Sequence, residues 1–80
     1  MYTDEMAKAF HAITPPANFS LTLIDFDKWI NIVVDTDQLM ALSDENRVLA
    51  AQYTIDVAHA LDAEGAIVQI VREAVEDGSN

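Results

Sequence analysis

The first apolar positions of the chain repeat with the spacing of a helix. Four of them, Met6, Ala9, Phe10 and Ile13, fall on one side of a helix. Thr3 can cap that helix, because its hydroxyl can accept hydrogen bonds from the free amides of the first turn. Pro15 and Pro16 cannot continue it. The pattern therefore predicts a helix that begins after Thr3 and ends near His11 or Ala12.

The next two segments alternate apolar with polar residues, as strands with one buried face do. Phe19, Leu21 and Leu23 alternate with Ser20 and Thr22, and a second apolar face is formed by Ile30, Ile32 and Val34. The residues between them include no Gly, so a two-residue turn that needs positive φ is not expected. The pattern predicts a β-hairpin with a longer turn built on Asp27 and Lys28.

Residues 35–38 are typical of a second turn. The four residues that follow, 39–42, are too few for periodicity to distinguish a short third strand from one turn of helix.

A long helix is predicted from about residue 44 to 62. Ser43 is a suitable cap, and Asp44 and Glu45 suit the positive end of the helix dipole. Apolar side chains cover most of the circumference of this helix. We therefore expect it to be the central helix of the domain or to face another subunit.

The segment after Gly65 fits two structures. Ala66, Ile67, Ile70, Val71 and Ala74 share one helical face, which favours a helix to about Val75 that Gly78 would end. The alternative is a strand over 66–72, because this segment is rich in β-branched residues. We favour the helix, since the helical spacing continues to Val75.

Together these segments predict one α+β domain over residues 1–80. It has an N-terminal helix, an antiparallel β-hairpin or short three-stranded meander, and two C-terminal helices packed on one sheet face. A domain of this size buries only about 60% of the surface of its unfolded chain. A homodimer would bury more apolar area, so we include one among the expected partners.

Composition excludes several classes of function. The chain carries 14 acidic and 4 basic residues, a formal charge of −10. Such a charge disfavours direct binding to nucleic acid or to anionic membranes. There is no Cys, no apolar run long enough to span a bilayer, and no basic, apolar start typical of a signal peptide. We expect a soluble cytoplasmic protein.

Motifs for catalysis, cofactors or metals are weak. Two glycines cannot build a phosphate-binding loop. Asp56 and His59 share a helix face and could orient a base, but an exposed histidine between acids explains them as well. The pairs Asp25/Asp27 and Asp35/Asp37 would lie on the order of 20 Å apart, too far to share one ion. We predict no enzyme activity, no cofactor and no metal.

The acidity itself is the strongest indication of function. It is spread along the chain: six acids and two bases give −4 over residues 1–40, and eight acids and two bases give −6 over residues 41–80. Solubility alone could require this charge. Alternatively, it could guide the protein to the basic surface of a protein that handles nucleic acid.

The second interpretation predicts a non-enzymatic inhibitor that presents carboxylates where phosphates would lie. In size and charge the chain is similar to small phage-encoded inhibitors such as DNA mimics, anti-restriction proteins and anti-CRISPR proteins, with no shared motif, and such a protein would act in the host cytoplasm. The predicted partner-binding residues are Asp25, Asp27, Asp35, Asp37, Asp44 and Glu45, with Trp29 as the apolar anchor. Trp29 could instead pack at the edge of the core. The alternative function is a small dimeric adaptor or assembly module that acts through the apolar helix 44–62.

Overall fold

The computed structural model describes residues 1–74 of the chain. It contains, in order, α1 (Asp4–His11), β1 (Leu21–Asp25), β2 (Ile30–Asp35), α2 (Thr36–Ala41), α3 (Asp44–Ala63) and β3 (Val68–Glu73). The strands form one mixed sheet in the order β1-β2-β3.

The N-terminal helix is confirmed. The hydroxyl of Thr3 accepts a hydrogen bond from the backbone N–H of Met6 at 3.1 Å, as a helix cap does. Met6 is the buried residue of α1, and the helix ends at His11, before the two prolines.

The β-hairpin is confirmed as well. β1 and β2 pair antiparallel, with Leu21 opposite Val34 and Asp25 opposite Ile30. Ile30 and Ile32 are fully buried and Val34 nearly so, because alternation along β2 turns all three toward the core.

The predicted C-terminal helix is wrong. Residues 68–73 form strand β3, which pairs parallel with β2 from Ile30 opposite Val68 to Asp35 opposite Glu73. β2 has a second edge whose backbone N–H and C=O groups need partners, and β3 supplies them. The β-branched side chains of this segment fit a sheet, so the strand alternative was correct. The predicted end of a helix at Gly78 lies outside the described residues.

The meander, given as the alternative to a simple hairpin, is wrong. Of the two structures left open for residues 39–42, the helical one is found, because the short helix α2 follows β2, and the predicted turn at 35–38 is the cap and start of that helix. The third strand comes from residues 68–73. Asp35 caps α2, since its carboxylate accepts from the backbone N–H groups of Asp37 and Gln38. The two helices between β2 and β3 make the crossover that a parallel pair of strands requires.

Helix α3 begins after Ser43, as predicted; the hydroxyl of Ser43 accepts from the N–H of Asn46 at 3.2 Å. Its buried residues follow helical spacing along a single stripe: Ala50, Tyr53, Thr54, Val57, Ala58 and Leu61. Outside this stripe, Val48, Leu49 and Ile55 are exposed. The helix therefore covers the core from one side only.

The helices and the sheet form two layers. Residues from α1, α3 and β2 share one core that includes Met6, Ile32 and Leu61. The other face of the sheet carries Thr22 and Ile24, both exposed, and Val33, which is buried but lies outside that core. This arrangement gives a thin molecule of 33 × 30 × 15 Å. Within residues 1–74, no helix has the length and apolar character needed to cross a membrane.

Candidate protein-binding surface

The hairpin turn positions three of the predicted binding residues. The N–H of Phe26 donates to the carbonyl oxygen of Trp29, and the N–H of Lys28 donates to that of Phe26. Asp27, between them, has φ of +72°. A hydrogen bond between residues two apart around a positive φ is a γ-turn, which is strained for residues other than Gly. The turn does rest on Asp27 and Lys28, but it includes the positive φ that the absence of Gly argued against.

The turn brings two aromatic rings together. Phe26 and Trp29 stack with ring centroids 5.0 Å apart and planes 17° apart. The indole Nε1 of Trp29 donates to Oδ1 of Asn31, which alternates away from the core residues Ile30 and Ile32. Phe26 is 45% exposed and Trp29 38%. An exposed aromatic pair held in one geometry has the character of an interface anchor.

The carboxylate of Asp25 is engaged in hydrogen bonds within the fold. It accepts hydrogen bonds from the N-terminal ammonium of Met1 at 2.8 and 3.0 Å, and from the N–H groups of Tyr2 and Asp27. The ammonium, together with these two backbone N–H groups, lowers the pKa of Asp25 to about 2. Asp25 therefore serves mainly to tie the N-terminus to the hairpin, whereas Asp27, whose carboxylate lies 3.7 Å from the same ammonium, is more open to solvent.

The second predicted pair of acids lies at the opposite end of β2. Asp35 is partly engaged as the cap of α2, and Asp37 is exposed in the first turn of that helix. Six residues of β2 separate Asp35 from the hairpin turn, which corresponds to roughly 20 Å at about 3.3 Å per residue. The fold therefore does not bring the two pairs together.

Asp44 and Glu45 lie in the first turn of α3, and both are exposed. Because β3 is parallel to β2, α3 begins near the end where β2 finishes. Asp44 pairs with Arg47 at 3.2 Å, and Arg47 also donates to the carbonyl oxygens of Leu39 and Met40 at the end of α2. Glu45 and Asp37 thus remain the most available predicted carboxylates at this end.

We name the two resulting acidic regions by their position. The hairpin end contains Asp25 and Asp27 together with acids that sequence reasoning did not select: Asp4, Glu5, Asp62 and Glu64. α1 reaches this end through the bonds of Met1 and Tyr2 to Asp25, and the segment after α3 reaches it because the carbonyl oxygen of Ile67 accepts from the N–H of Ile30. The crossover end contains the following acids: Asp35, Asp37, Asp44, Glu45 and Glu73.

Only the topology reveals these additional acids. Glu73 lies opposite Asp35 in the parallel pairing of β2 with β3. Asp62 and Glu64 stand at the C-terminal end of α3, far from the hairpin in sequence. The predicted C-terminal helix gave no reason to place Glu73, Asp62 or Glu64 beside the acids selected from the sequence.

Asp56 and His59 are not hydrogen-bonded to each other in the part of the chain that the structure describes. The carboxylate of Asp56 instead accepts from the side-chain amide of Gln52 at 2.9 Å. No group of three or more potential metal ligands occurs among those residues.

An apolar cavity lies on the helix side of the sheet, and none of the predicted binding residues lines it. It has a volume of about 290 Å³ between α3 and β3. Phe19 and Val34 form its buried floor. The remaining lining residues are Leu39, Arg47, Ala50, Ala51, Thr54, Ile55, Ile70 and Arg72.

Comparison of the chain with protein-family models, with curated proteins and with solved structures gives no match in any of the three.

Proposed function

We propose that this chain is a non-enzymatic protein-binding inhibitor that occupies the basic surface of a protein that handles nucleic acid. The observation that carries the proposal is the division of its exposed carboxylates between the hairpin end and the crossover end of one thin two-layer body. The two regions lie roughly 20 Å apart along β2. A groove that binds a stretch of nucleic acid backbone presents cations over a comparable length.

Few cations offset these acids. The hairpin end holds six carboxylates against Lys28, the N-terminal ammonium and Lys8, which follows Asp4 by one helical turn, and the crossover end holds five against Arg47 and Arg72. The surplus at each end gives a negative potential that attracts a basic partner and raises the association rate at low salt.

The stacked pair Phe26 and Trp29 adds an apolar contact to this electrostatic attraction. It lies beside Asp27 at the hairpin end, so an aromatic anchor and an acidic rim are adjacent there. Aromatic anchors supply a large share of interface energy when polar residues surround them. This combination supports a protein partner and fits the role of phage inhibitors that act in the host cytoplasm.

The experiment uses carboxylates that do not support the fold. Asp25 and Asp35 are excluded because each accepts backbone hydrogen bonds. One variant combines Asp27→Asn and Glu64→Gln with Asp37→Asn and Glu45→Gln, which removes two charges from each end. The matched control exchanges the acids at the same positions, Asp27→Glu, Glu64→Asp, Asp37→Glu and Glu45→Asp, and keeps every charge.

The measurement is displacement of a labelled DNA duplex from heparin-binding proteins of host lysate. We expect the wild type and the control to displace DNA, less so as salt rises, and the neutralised variant to lose most of this effect. A wild type that displaces no DNA, or a neutralised variant as active as the control, would overturn the proposed function.

A second candidate is an adaptor that binds partners through α3. The observation in its favour is the outward apolar side of that helix, where Val48 is 67% and Leu49 52% exposed. Val48→Lys with Leu49→Lys separates the two functions. If this variant no longer binds a partner but still displaces DNA, the result supports the adaptor function. If it retains both partner binding and DNA displacement, the adaptor function is excluded.

A further inference from the structure

Strand β3 is an edge strand with an apolar surface beside it. It pairs with β2 on one side, and no described residue pairs with its other side. Such an edge leaves a row of backbone N–H and C=O groups that another strand can pair with. The cavity described above opens next to this edge, where Ile55 is 44% and Ile70 46% exposed.

Two single side chains of opposite charge stand at the two ends of this groove. At one end Arg72 lines the cavity and has no hydrogen bond or ion pair among residues 1–74, whereas its neighbour Arg47 is held by Asp44 and by the carbonyl oxygens of Leu39 and Met40. Ala51, Ile55 and Asp62 follow at intervals of four and seven residues, so they share the side of α3 that faces the groove. Asp62 lies at the far end of that side, near the C-terminus of the helix.

Asp62 is poorly placed for its own helix. A negative charge in the last turn is disfavoured by the helix dipole, and α3 has no basic residue there. A cation brought to this end from outside the chain would offset that cost.

We propose that the groove between α3 and β3 binds a second copy of this chain, with β3 pairing antiparallel to β3 of that copy about a two-fold axis. The antiparallel direction puts Arg72 of each groove toward Asp62 of the other. This contact between opposite charges therefore occurs twice, and the exposed Ile55 and Ile70 of both copies are covered. The proposal goes beyond the proposed function, because an inhibitor could act as a monomer or a dimer.

The two-fold symmetry restricts the possible registers of the β3–β3 pair. Residues opposite each other in an antiparallel pair lie on the same face, so the axis must pass a residue that faces its own copy. The two residues in the middle of β3, Ile70 and Val71, are therefore the candidates for the position of the axis. With Ile70 on the axis, the two Ile70 side chains meet on the helix side and Arg72 lies opposite Val68. Both registers place Arg72 opposite an aliphatic residue, but with Val71 on the axis the two Ile70 side chains are not opposite each other. We assign the axis to Ile70, because only that register brings the two exposed Ile70 side chains into direct contact.

Sedimentation of the full chain tests whether the dimer forms. We expect the wild type to be a dimer and Ile70→Lys to be a monomer with an unchanged circular dichroism spectrum, since two lysines would meet on the axis. Ile24→Lys is the matched control, because Ile24 is 41% exposed but lies on β1, at the other edge of the sheet. A monomeric wild type, or an Ile70→Lys protein that remains a dimer, overturns the proposal.

Cysteine cross-linking tests the register. The chain has no cysteine, so single replacements report one contact each. With an added mild oxidant such as oxidised glutathione, Ile70→Cys should form a covalent dimer, because opposite Cβ atoms in an antiparallel pair approach to about 4.5 Å, within reach of a disulfide. Val71→Cys is the control and should cross-link much more slowly. Faster cross-linking of Val71→Cys contradicts the assigned register.

Charge exchange tests the contact between the two ends. Arg72→Asp should weaken the dimer at least tenfold, and adding Asp62→Arg to it should restore most of the affinity, since the two charges then trade places. Failure of the second change to restore affinity contradicts the antiparallel arrangement. None of these three results depends on DNA displacement, so this proposal and the proposed function can fail separately.

Discussion

Trp29 stacks on Phe26 across the hairpin turn, with the two ring centroids 5.0 Å apart, while its indole N–H is held by Asn31. The pair therefore closes the turn on the side away from the core. This relationship connects the stability of the hairpin to the surface proposed to bind a partner.

Replacing Trp29 should weaken the hairpin without unfolding the protein. Trp29→Ala removes the stack and the hydrogen bond to Asn31, and we expect a loss of about 1 kcal/mol in the free energy of unfolding, measured by urea titration. Trp29→Phe keeps a ring against Phe26 and should lose less than half of that. Equal losses for the two variants would show that the stack contributes nothing.

The pair formed by Asp25 and the N-terminal ammonium should make stability depend on pH in two windows. The folded-state pKa of Asp25 is about 2, below its ordinary value of 3.8, because it accepts hydrogen bonds from the ammonium and from backbone N–H groups. Its contribution is therefore present above about pH 4 and is lost as the pH falls toward 2.

The ammonium behaves in the opposite direction. Its pKa is raised above 8.0 by the hydrogen bond to Asp25, so its contribution is present below pH 8 and is lost as the pH rises through the raised pKa. Carboxyl NMR titration should find the low pKa of Asp25, and acetylating the N-terminus should raise it. An Asp25 pKa that acetylation leaves unchanged contradicts the pairing.

The end of α3 should be sensitive to one backbone position. Gly65 has φ of +96°, the N–H of Ala66 donates to Leu61, and that of Gly65 donates to Asp62, which together form a Schellman motif. A Cβ at Gly65 would meet no atom within 4 Å, so any cost comes from the backbone alone.

We expect Gly65→Ala to destabilise the protein by about 1–2 kcal/mol in thermal or urea unfolding, because Ala adopts positive φ poorly. Ala63→Gly, two residues earlier in α3, is the control for helix propensity. A Gly65→Ala protein as stable as the wild type would show that this helix end does not require positive φ.

The cap at the start of α3 can be tested separately. Ser43→Ala leaves the N–H of Asn46 without its hydroxyl acceptor, and we expect a loss of about 1 kcal/mol. Ser43→Asp retains an acceptor and should restore the stability in urea unfolding. If Ser43→Asp is as unstable as Ser43→Ala, the cap interaction is not the cause.

For the candidate surface, the sequence identified the acids and Trp29 but not their grouping. It placed Asp25/Asp27 and Asp35/Asp37 at opposite strand ends, and the structure places them there. It gave no reason to add Asp62, Glu64 or Glu73. Asp62 and Glu64 belong to the hairpin end, and Glu73 to the crossover end, only because the crossover makes β3 parallel to β2. It also did not anticipate that Asp25 would be occupied by the N-terminus.

The sequence alone determined the helix boundaries and the hairpin, because these depend on residues close together in the chain. Thr3, Ser43 and the two prolines set helix boundaries through backbone hydrogen bonding and ring geometry, and the alternation around Leu21 and Ile32 set the hairpin. The tertiary structure decided residues 68–73, where Ile67, Ile70 and Val71 suit either a helix face or a strand. The burial of β2 settles that choice, because Ile30 and residues 32–34 are buried and their backbone N–H and C=O groups need partners within the protein, which β3 supplies.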